Sequence, residues 1–253
     1  MDYGMMQPIA EVRSPHNDIA VYETTQLDGE TGKFRCMRFA DEDVQGAMDL
    51  KNRQRLVLGY QQALVRLLER RDPSFRSLFV IGHGIGSIAG HFRGKTVKVA
   101  EIDEMVVELS RRYFDYRDDN VAIGDGRRLL AEEPDRSLDY IVLDAFTSKG
   151  TPAHFTTEQF FRLAADKLRP GGALVMNVMG RPRDDRLTEA IGTTLRRAFA
   201  DVRCYSLPAE RNRDRRNMIF CASDAASDFG DAGADLAEVE LAEGHVIRDG
   251  LAG

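Results

Sequence analysis

The segment Ser77-Leu-Phe-Val-Ile-Gly-His-Gly-Ile-Gly-Ser87 carries an apolar strand into Gly82, Gly84 and Gly86, and Thr96-Val-Lys-Val-Ala-Glu-Ile-Asp103 supplies a second apolar strand closing on Glu101. Glycines at a strand's carboxyl end let the backbone approach a ligand that a Cβ would hold off. An acid 19 residues beyond the first of them is placed to accept ribose hydroxyls. The same glycines also suit a turn that only packs helix on strand, but the acid at this distance favours the ligand. The pattern predicts a nucleoside site on a strand–helix–strand unit.

From Ser77 onward apolar strands are expected at 78–81, 97–102, 121–123, 140–145, 173–178, 202–206 and 217–222. Between them, 104–114, 157–168 and 184–200 have helical length and apolar periodicity. Alternation of this kind gives a doubly wound α/β domain, a Rossmann-like and mostly parallel sheet covered on both faces. Such sheets bind ligands at the carboxyl ends of their strands, where Gly82, Glu101, Asp125 and Asp144 all fall. Leu168-Arg-Pro-Gly-Gly172 stops a helix and turns into the next strand.

Ahead of this domain, strands at 19–25 and 33–39 flank the turn Leu27-Asp-Gly-Glu-Thr-Gly32, a hairpin to which a third strand is expected to add. A helical stripe over 51–71 ends at Asp72-Pro73. The organisation expected is a small β-hairpin domain over 1–50, a connecting helix over 51–76, the nucleoside-binding domain over 77–223, and an acidic, loosely attached tail over 224–253.

The formal net charge of −6 argues against a nucleic-acid partner, whose phosphates require a basic face. No apolar run reaches the roughly 18 residues of a spanning helix. The start Met1-Asp-Tyr-Gly-Met-Met6 has no signal-peptide character, so a cytoplasmic protein without a membrane partner is expected. Cys36, Cys204 and Cys221 lack metal-type spacing and read as reduced and buried. The scattered histidines give no zinc site, and neither a nucleophile elbow nor a Walker loop is present.

If the ligand is S-adenosylmethionine or its decarboxylated form, each acid has a role. Glu101 takes the ribose diol. Asp125, in Ile123-Gly-Asp-Gly126, accepts the adenine amino group while Gly126 leaves room for the ring, and Asp125 can also cap the helix that follows. Asp144, after Tyr140-Ile-Val-Leu143, stabilises positive charge beside a sulfonium.

These segments, together with Ser14-Pro-His-Asn-Asp-Ile-Ala-Val-Tyr-Glu23 and Asp43-Val-Gln-Gly-Ala-Met-Asp49, resemble the spermidine synthase family, built on the fold of class I methyltransferases. The resemblance runs from Ser14 to about Gly180. It implies a β-hairpin domain over the nucleoside domain, a homodimer, and an alkyl transfer from a sulfonium nucleoside to a small nucleophile such as an amine. It also implies that Gln45 and Tyr60 close over the tail of the nucleoside substrate, and that Asp144 binds or orients the nucleophile.

Three departures stand out. The family aspartate that holds the amine of decarboxylated S-adenosylmethionine is replaced by Ile85. The second acid of an Asp-Ser-Thr-Asp-like motif is Thr147, in Asp144-Ala-Phe-Thr147. Tyr-His-Glu becomes Tyr60-Gln-Gln62. A positioned base contributes about 10² to 10⁴ in rate, so Asp144, His154 or Tyr60 would have to serve in place of the missing acid. Ile85 relaxes discrimination against the carboxylate of S-adenosylmethionine, which keeps methyl transfer open. The expectation is an atypical member transferring an aminopropyl or a methyl group. A methyltransferase proper, or a nucleoside-binding regulatory protein without turnover, are the alternatives. A nicotinamide-dependent reductase would leave Asp125-Gly126 and the hairpin domain unexplained. His154, in Pro152-Ala-His154, either serves as acid/base or positions a loop, and Thr156-Thr-Glu158 reads as a helix cap.

Overall fold

The computed structural model describes residues 8–39, 44–147, 150–209, 214–225 and 236–250. The start of the chain, Asp43, and 226–235 and 251–253 of the expected tail lie outside the described residues.

Strands β1 (Ala10–Arg13), β2 (Asp18–Leu27), β3 (Glu30–Phe39) and β4 (Val44–Asp49) form an antiparallel sheet in that order, one strand more than the sequence suggested. Leu27 pairs with Glu30, which leaves Asp28-Gly29 as a two-residue loop with both φ angles positive, the twist-matched hairpin turn that Asp-Gly favours. Between β3 and β4 the register slips, so that Gln45 is bulged out while Val44 and Gly46 keep partners. A bulge re-aims a side chain, and here it turns Gln45 toward the second sheet.

Helix α1 (Gly59–Arg71) joins the two sheets. It starts later than the apolar stripe implied. Leu56 bridges to Met48, Leu58 is the N-cap, and Gln62 donates to the Leu56 carbonyl at 2.8 Å, holding 56–58 as a non-helical lead-in.

The remaining elements are β5 (Ser77–Ile81), α2 (Ser87–His91), β6 (Thr96–Glu101), α3 (Glu104–Tyr113), β7 (Val121–Ile123), α4 (Gly126–Ala131), β8 (Leu138–Leu143), a 3₁₀ turn (Ala153–Phe155), α5 (Glu158–Lys167), β9 (Leu168–Gly180), α6 (Arg186–Leu195), β10 (Asp201–Ser206), β11 (Arg216–Ser223) and β12 (Ala237–Glu238). The second sheet has the order β12-β10-β11-β9-β8-β5-β6-β7. Strands β5 to β9 are parallel, whereas β10, β11 and β12 pair antiparallel. This is the doubly wound, mostly parallel architecture expected. The chain leaves β5 in one direction for β6 and β7 and returns on its other side for β8, so a crevice opens above β5 and β8.

Alternate strand residues serve opposite faces. Val80, Val142, Val175 and Ile219 pack with α1 and α2, while Ile81, Ile141, Met176 and Phe220 pack with Phe160, Ile191 and Leu195 of α5 and α6. A third cluster sets Ile19, Val21 and Met37 of the small sheet against Val106 and Leu109 of α3. The small sheet is pinned there as well by Ser14 and Asn17, which donate to the Asp103 carboxylate. The three cysteines are free and buried. No helix among the described residues is long and apolar enough to cross a membrane.

The expected loose tail is corrected over its described part. Residues 236–250 lie along the domain: Leu236 is buried, β12 extends the sheet beside β10, and Val239, Leu241 and Ile247 pack on the α5–α6 face. These few apolar residues suffice because backbone groups also find partners. Gly244 N–H donates to the Thr193 hydroxyl at 2.8 Å and Ile247 N–H to the Thr194 hydroxyl at 2.9 Å.

Candidate active site

A cavity of about 280 Å³ sits in the crevice above β5 and β8, close to the lower end of the roughly 300–1,000 Å³ common for small-molecule sites. It is lined by Gln45, Tyr60, Gly82, Gly84, Glu101, Asp125, Gly126, Asp144 and His154, all singled out from the sequence. Gly86 and Ile85 are not among the lining residues. Gly86, at φ +82°, caps α2, and a Cβ there would stand 2.2 Å from the Tyr116 ring. Ile85 is buried in the core between the small sheet and α3. Its side chain does not face the cavity, which corrects the expectation that it adjusts the choice between cofactor forms by direct contact.

The glycine loop makes the cradle. Gly82, at φ +97°, passes so close to β8 that a Cβ would lie 2.2 Å from the Asp144 carbonyl oxygen, whereas the nearest neighbour of a Cβ on Gly84 would be 3.5 Å away. Behind the loop His83 is buried. The Ser110 hydroxyl donates to the Val107 carbonyl at 2.8 Å, so it accepts from His83 Nε2–H at 2.8 Å, leaving Nδ1 a buried acceptor without a partner among the described residues. Burial, and secondarily the charge of Arg111, push the His83 pKa down to about 4.

Glu101 is buried at the end of β6 and accepts the backbone N–H groups of His83 (2.8 Å) and Asp103 (3.0 Å). Burial raises its pKa while these donors oppose the rise. These backbone donors do not fill the carboxylate, and lone pairs remain for a ligand's hydroxyls. Asp125 caps α4, accepting Arg128 N–H at 2.9 Å through Oδ1, while Oδ2 lies 2.9 Å from His154 Nε2. Thr157 caps α5 by accepting Phe160 N–H at 3.3 Å.

Asp144, half-buried at the end of β8, is the focus of two hydrogen-bonded arms. Asn217 donates to Asn177 Oδ1 at 3.0 Å, which turns the Asn177 amide so that it donates to Asp144 Oδ1 at 2.9 Å. From the other side Gln61 donates to the Tyr60 hydroxyl at 3.2 Å, and the Tyr60 hydroxyl bonds Asp144. Burial nevertheless dominates and raises the Asp144 pKa to about 6, against the lowering effect of Asn177 and Tyr60. Tyr60 is pushed well above its ordinary value by burial first and the Asp144 charge second. Gln61 is 4% exposed, and its Oε1 has no partner among the described residues although the residue lines the cavity.

Gln61, Asn177 and Asn217 were missed from the sequence. Asn177 interrupts the apolar run Leu174-Val-Met-Asn-Val-Met179, which was the available signal for it, whereas Gln61 stands beside Gln62 and Asn217 beside Arg216, where no such interruption marks them. Ile102, Phe146 and Phe155 add apolar walls, and His16, Asn17 and Phe39 reach the cavity from the small sheet. Thr147 stands on the rim with its hydroxyl donated to Gly150 O at 3.0 Å. Among the described residues no carboxylate replaces the absent acid there.

The sequence model of the Spermine/spermidine synthase domain matches residues 57–209, more than half of the chain. The chain belongs to the spermine/spermidine synthase family. Among curated members it is similar to polyamine aminopropyltransferase 2 of Hyperthermus butylicus, 33% identical over 162 residues, which cover 58% of this chain and 52% of that protein. The chain thus spans about half the length of that relative. Among solved structures of the family, a probable spermidine synthase from Corynebacterium glutamicum superposes with a TM-score of 0.81 at 20% identity, covering 97% of this chain and 98% of that one. A spermidine synthase in complex with the transition-state analogue AdoDATO gives 0.69 at 18% identity, covering 86% and 74% respectively. At these identities the likeness speaks for a shared fold.

Proposed function

We propose that this family member transfers an aminopropyl group from decarboxylated S-adenosylmethionine to a small amine. One observation carries the choice of group. The cavity end beneath Tyr60 offers acceptors, the Asp144 carboxylate and the Gln61 Oε1 that has no partner among the described residues, while the Tyr60 hydroxyl hydrogen and one amide hydrogen each of Gln61 and Asn177 are directed along the two arms. Such a surface suits ammonium or amine groups. A carboxylate there would meet the Asp144 charge, and like charges brought together away from water repel strongly.

The nucleoside would lie along the glycine loop, with Glu101 on the ribose diol and Asp125 on the adenine amino group beside Gly126. Gly82 and Gly84 allow the backbone approach that side chains would prevent. The bound sulfonium supplies an electrophilic carbon and a neutral thioether leaving group. Asp144 orients the acceptor amine and takes the proton that the nitrogen must lose as it forms the new C–N bond. With a pKa of about 6, Asp144 is ionised at neutral pH and is closer to an amine in basicity than an ordinary aspartate. Gln45, turned inward by its bulge, and Tyr60 close over the propyl end. His154 holds Asp125 rather than reaching the nucleophile. A cytoplasmic homodimer, which the resemblance implies, belongs to the same reading.

A second reading keeps S-adenosylmethionine as the methyl donor. It is favoured by Ile85, where the family pattern has the acid that holds the amine of the decarboxylated form, and by Thr147, where it has the acid that helps deprotonate the attacking amine. Incubation of a panel of diamines with decarboxylated S-adenosylmethionine and, in parallel, with S-adenosylmethionine, followed by mass spectrometry, separates the two. The expected result is one aminopropyl group added to an amine with 5′-methylthioadenosine released in equal amount. Methylated product from S-adenosylmethionine, with no aminopropylated product, would replace this reading by the second.

A further inference from the structure

The C-terminal segment reaches the wall of the cavity that the proposed reading gives to adenine. Gly244 runs so close to α6 that a Cβ would stand 2.5 Å from Ala190 N, and Ile247 O accepts Glu158 N–H at 2.9 Å, so the segment is tied to both α6 and α5. Beyond these ties Asp249 meets Arg127, the residue after Gly126. Its two oxygens take Arg127 Nη1 at 2.9 Å and Nη2 at 2.7 Å, a bidentate pair, while Asp249 N–H donates to Gln159 Oε1 at 3.0 Å. The same Nη1 donates to His154 O at 3.3 Å, and His154 Nε2 is 2.9 Å from the Asp125 carboxylate. A continuous chain of contacts therefore runs from Asp249 through Arg127 and His154 to Asp125.

We propose that Asp249 is a positioning residue for the nucleoside end of the site, acting through Arg127 on the 3₁₀ turn that carries His154, so that the C-terminal segment is a working part of the cavity wall. The 3₁₀ turn is only three residues long, and among the described residues before it 144–147 and 150–152 belong to no helix or named strand. Arg127 is the group that ties its backbone to α4. A guanidinium held on both nitrogens by one carboxylate has a fixed plane, and that plane sets where the His154 carbonyl, and with it the ring against Asp125, comes to rest. Without Asp249 the guanidinium is free to turn to water, and the Asp125 carboxylate loses the partner that fixes its second oxygen.

The inference rests on the nucleoside reading and is tested by calorimetric titration of the full chain with 5′-methylthioadenosine. Asp249→Ala and Arg127→Ala are each expected to weaken binding about tenfold, or about 1.4 kcal/mol, with the double variant no weaker than either single one. Asp249→Glu should recover most of the affinity. Arg248→Ala removes a neighbouring pair with Glu158 (3.2 Å) and should bind as the parent does. In steady-state assays the loss should appear in KM for the nucleoside, with kcat and KM for the amine within about twofold. Parent-like binding by Asp249→Ala, additive losses in the double variant, or an equal loss in Arg248→Ala would overturn the proposal. Should Asp249→Ala melt before the titration temperature, Asp249→Asn, which keeps the size and removes the charge, is held to the same outcomes. Failure of the unaltered protein to bind 5′-methylthioadenosine would instead overturn the nucleoside reading itself.

Discussion

Asp144 joins burial, which raises its pKa to about 6, to two donors that pull the other way. As a base it works when ionised, so kcat/KM should rise with pH through about 6 and level off above it. In the complex a cationic ligand favours the carboxylate, and the corresponding limb of kcat should lie at lower pH. Asp144→Asn should lower kcat by about 10² to 10⁴, the usual contribution of a positioned base, and abolish the acid limb. Asn177→Leu removes a donor that stabilises the carboxylate, so the limb should move above 6. A limb unmoved in both variants would assign it to another group. The same ionisations act on stability in opposite senses. His83, ordinarily near 6.5 and here about 4, is protonated more readily in the unfolded chain, so its contribution is full above 6.5 and lost as pH falls toward 4. Asp144, ordinarily near 3.8 and here about 6, holds its proton more readily when folded, so it favours the folded state as pH falls from 6 toward 3.8. Asp144→Asn deletes that opposing term. Urea unfolding from pH 7 to 4 should show the variant losing stability more steeply than the parent.

Helix α2 and the loop before it place opposite demands on two glycines. Gly90 lies inside α2 and a Cβ there meets nothing within 4 Å, so Gly90→Ala should stabilise by about 0.5–1 kcal/mol through helix propensity. Gly82 has positive φ and no room for a Cβ, so Gly82→Ala should destabilise by about 1–3 kcal/mol and weaken nucleoside binding as well. Thermal melts read both signs. The elements that carry Glu101, Asp125 and Asp144 were legible because a parallel strand is an apolar run with an abrupt end, and its last residue is a point on the crevice. Gln61, Asn177 and Asn217 were not, since their partners lie across helix and sheet and no spacing within one segment reports them. The start of α1 was misjudged for a related reason. Leu56 and Leu58 continue the helical stripe, but Leu58 is buried against the small sheet, and Leu56 is held by a bridge to Met48 while it packs on the core beneath α1 and α2.

Across the molecule the two sheets and the C-terminal segment converge on one cavity. The small sheet contributes Gln45 through its bulge, α1 contributes Tyr60 and Gln61, the doubly wound sheet supplies the three acids, and 244–249 braces the wall behind Asp125. The fold and the crevice above β5 and β8 were readable from strand ends and glycines. The docking of the last described residues was not, because it depends on backbone N–H groups meeting the Thr193 and Thr194 hydroxyls, a pairing that leaves no mark on composition. An acceptor-lined tail pocket should prefer an amine without a carboxylate despite the loss of the acid at Ile85. The most direct test is calorimetric titration of the protein with decarboxylated S-adenosylmethionine and with S-adenosylmethionine under the same conditions. Tighter binding of the decarboxylated form by tenfold or more, about 1.4 kcal/mol, is the predicted result, and equal or tighter binding of S-adenosylmethionine would contradict it.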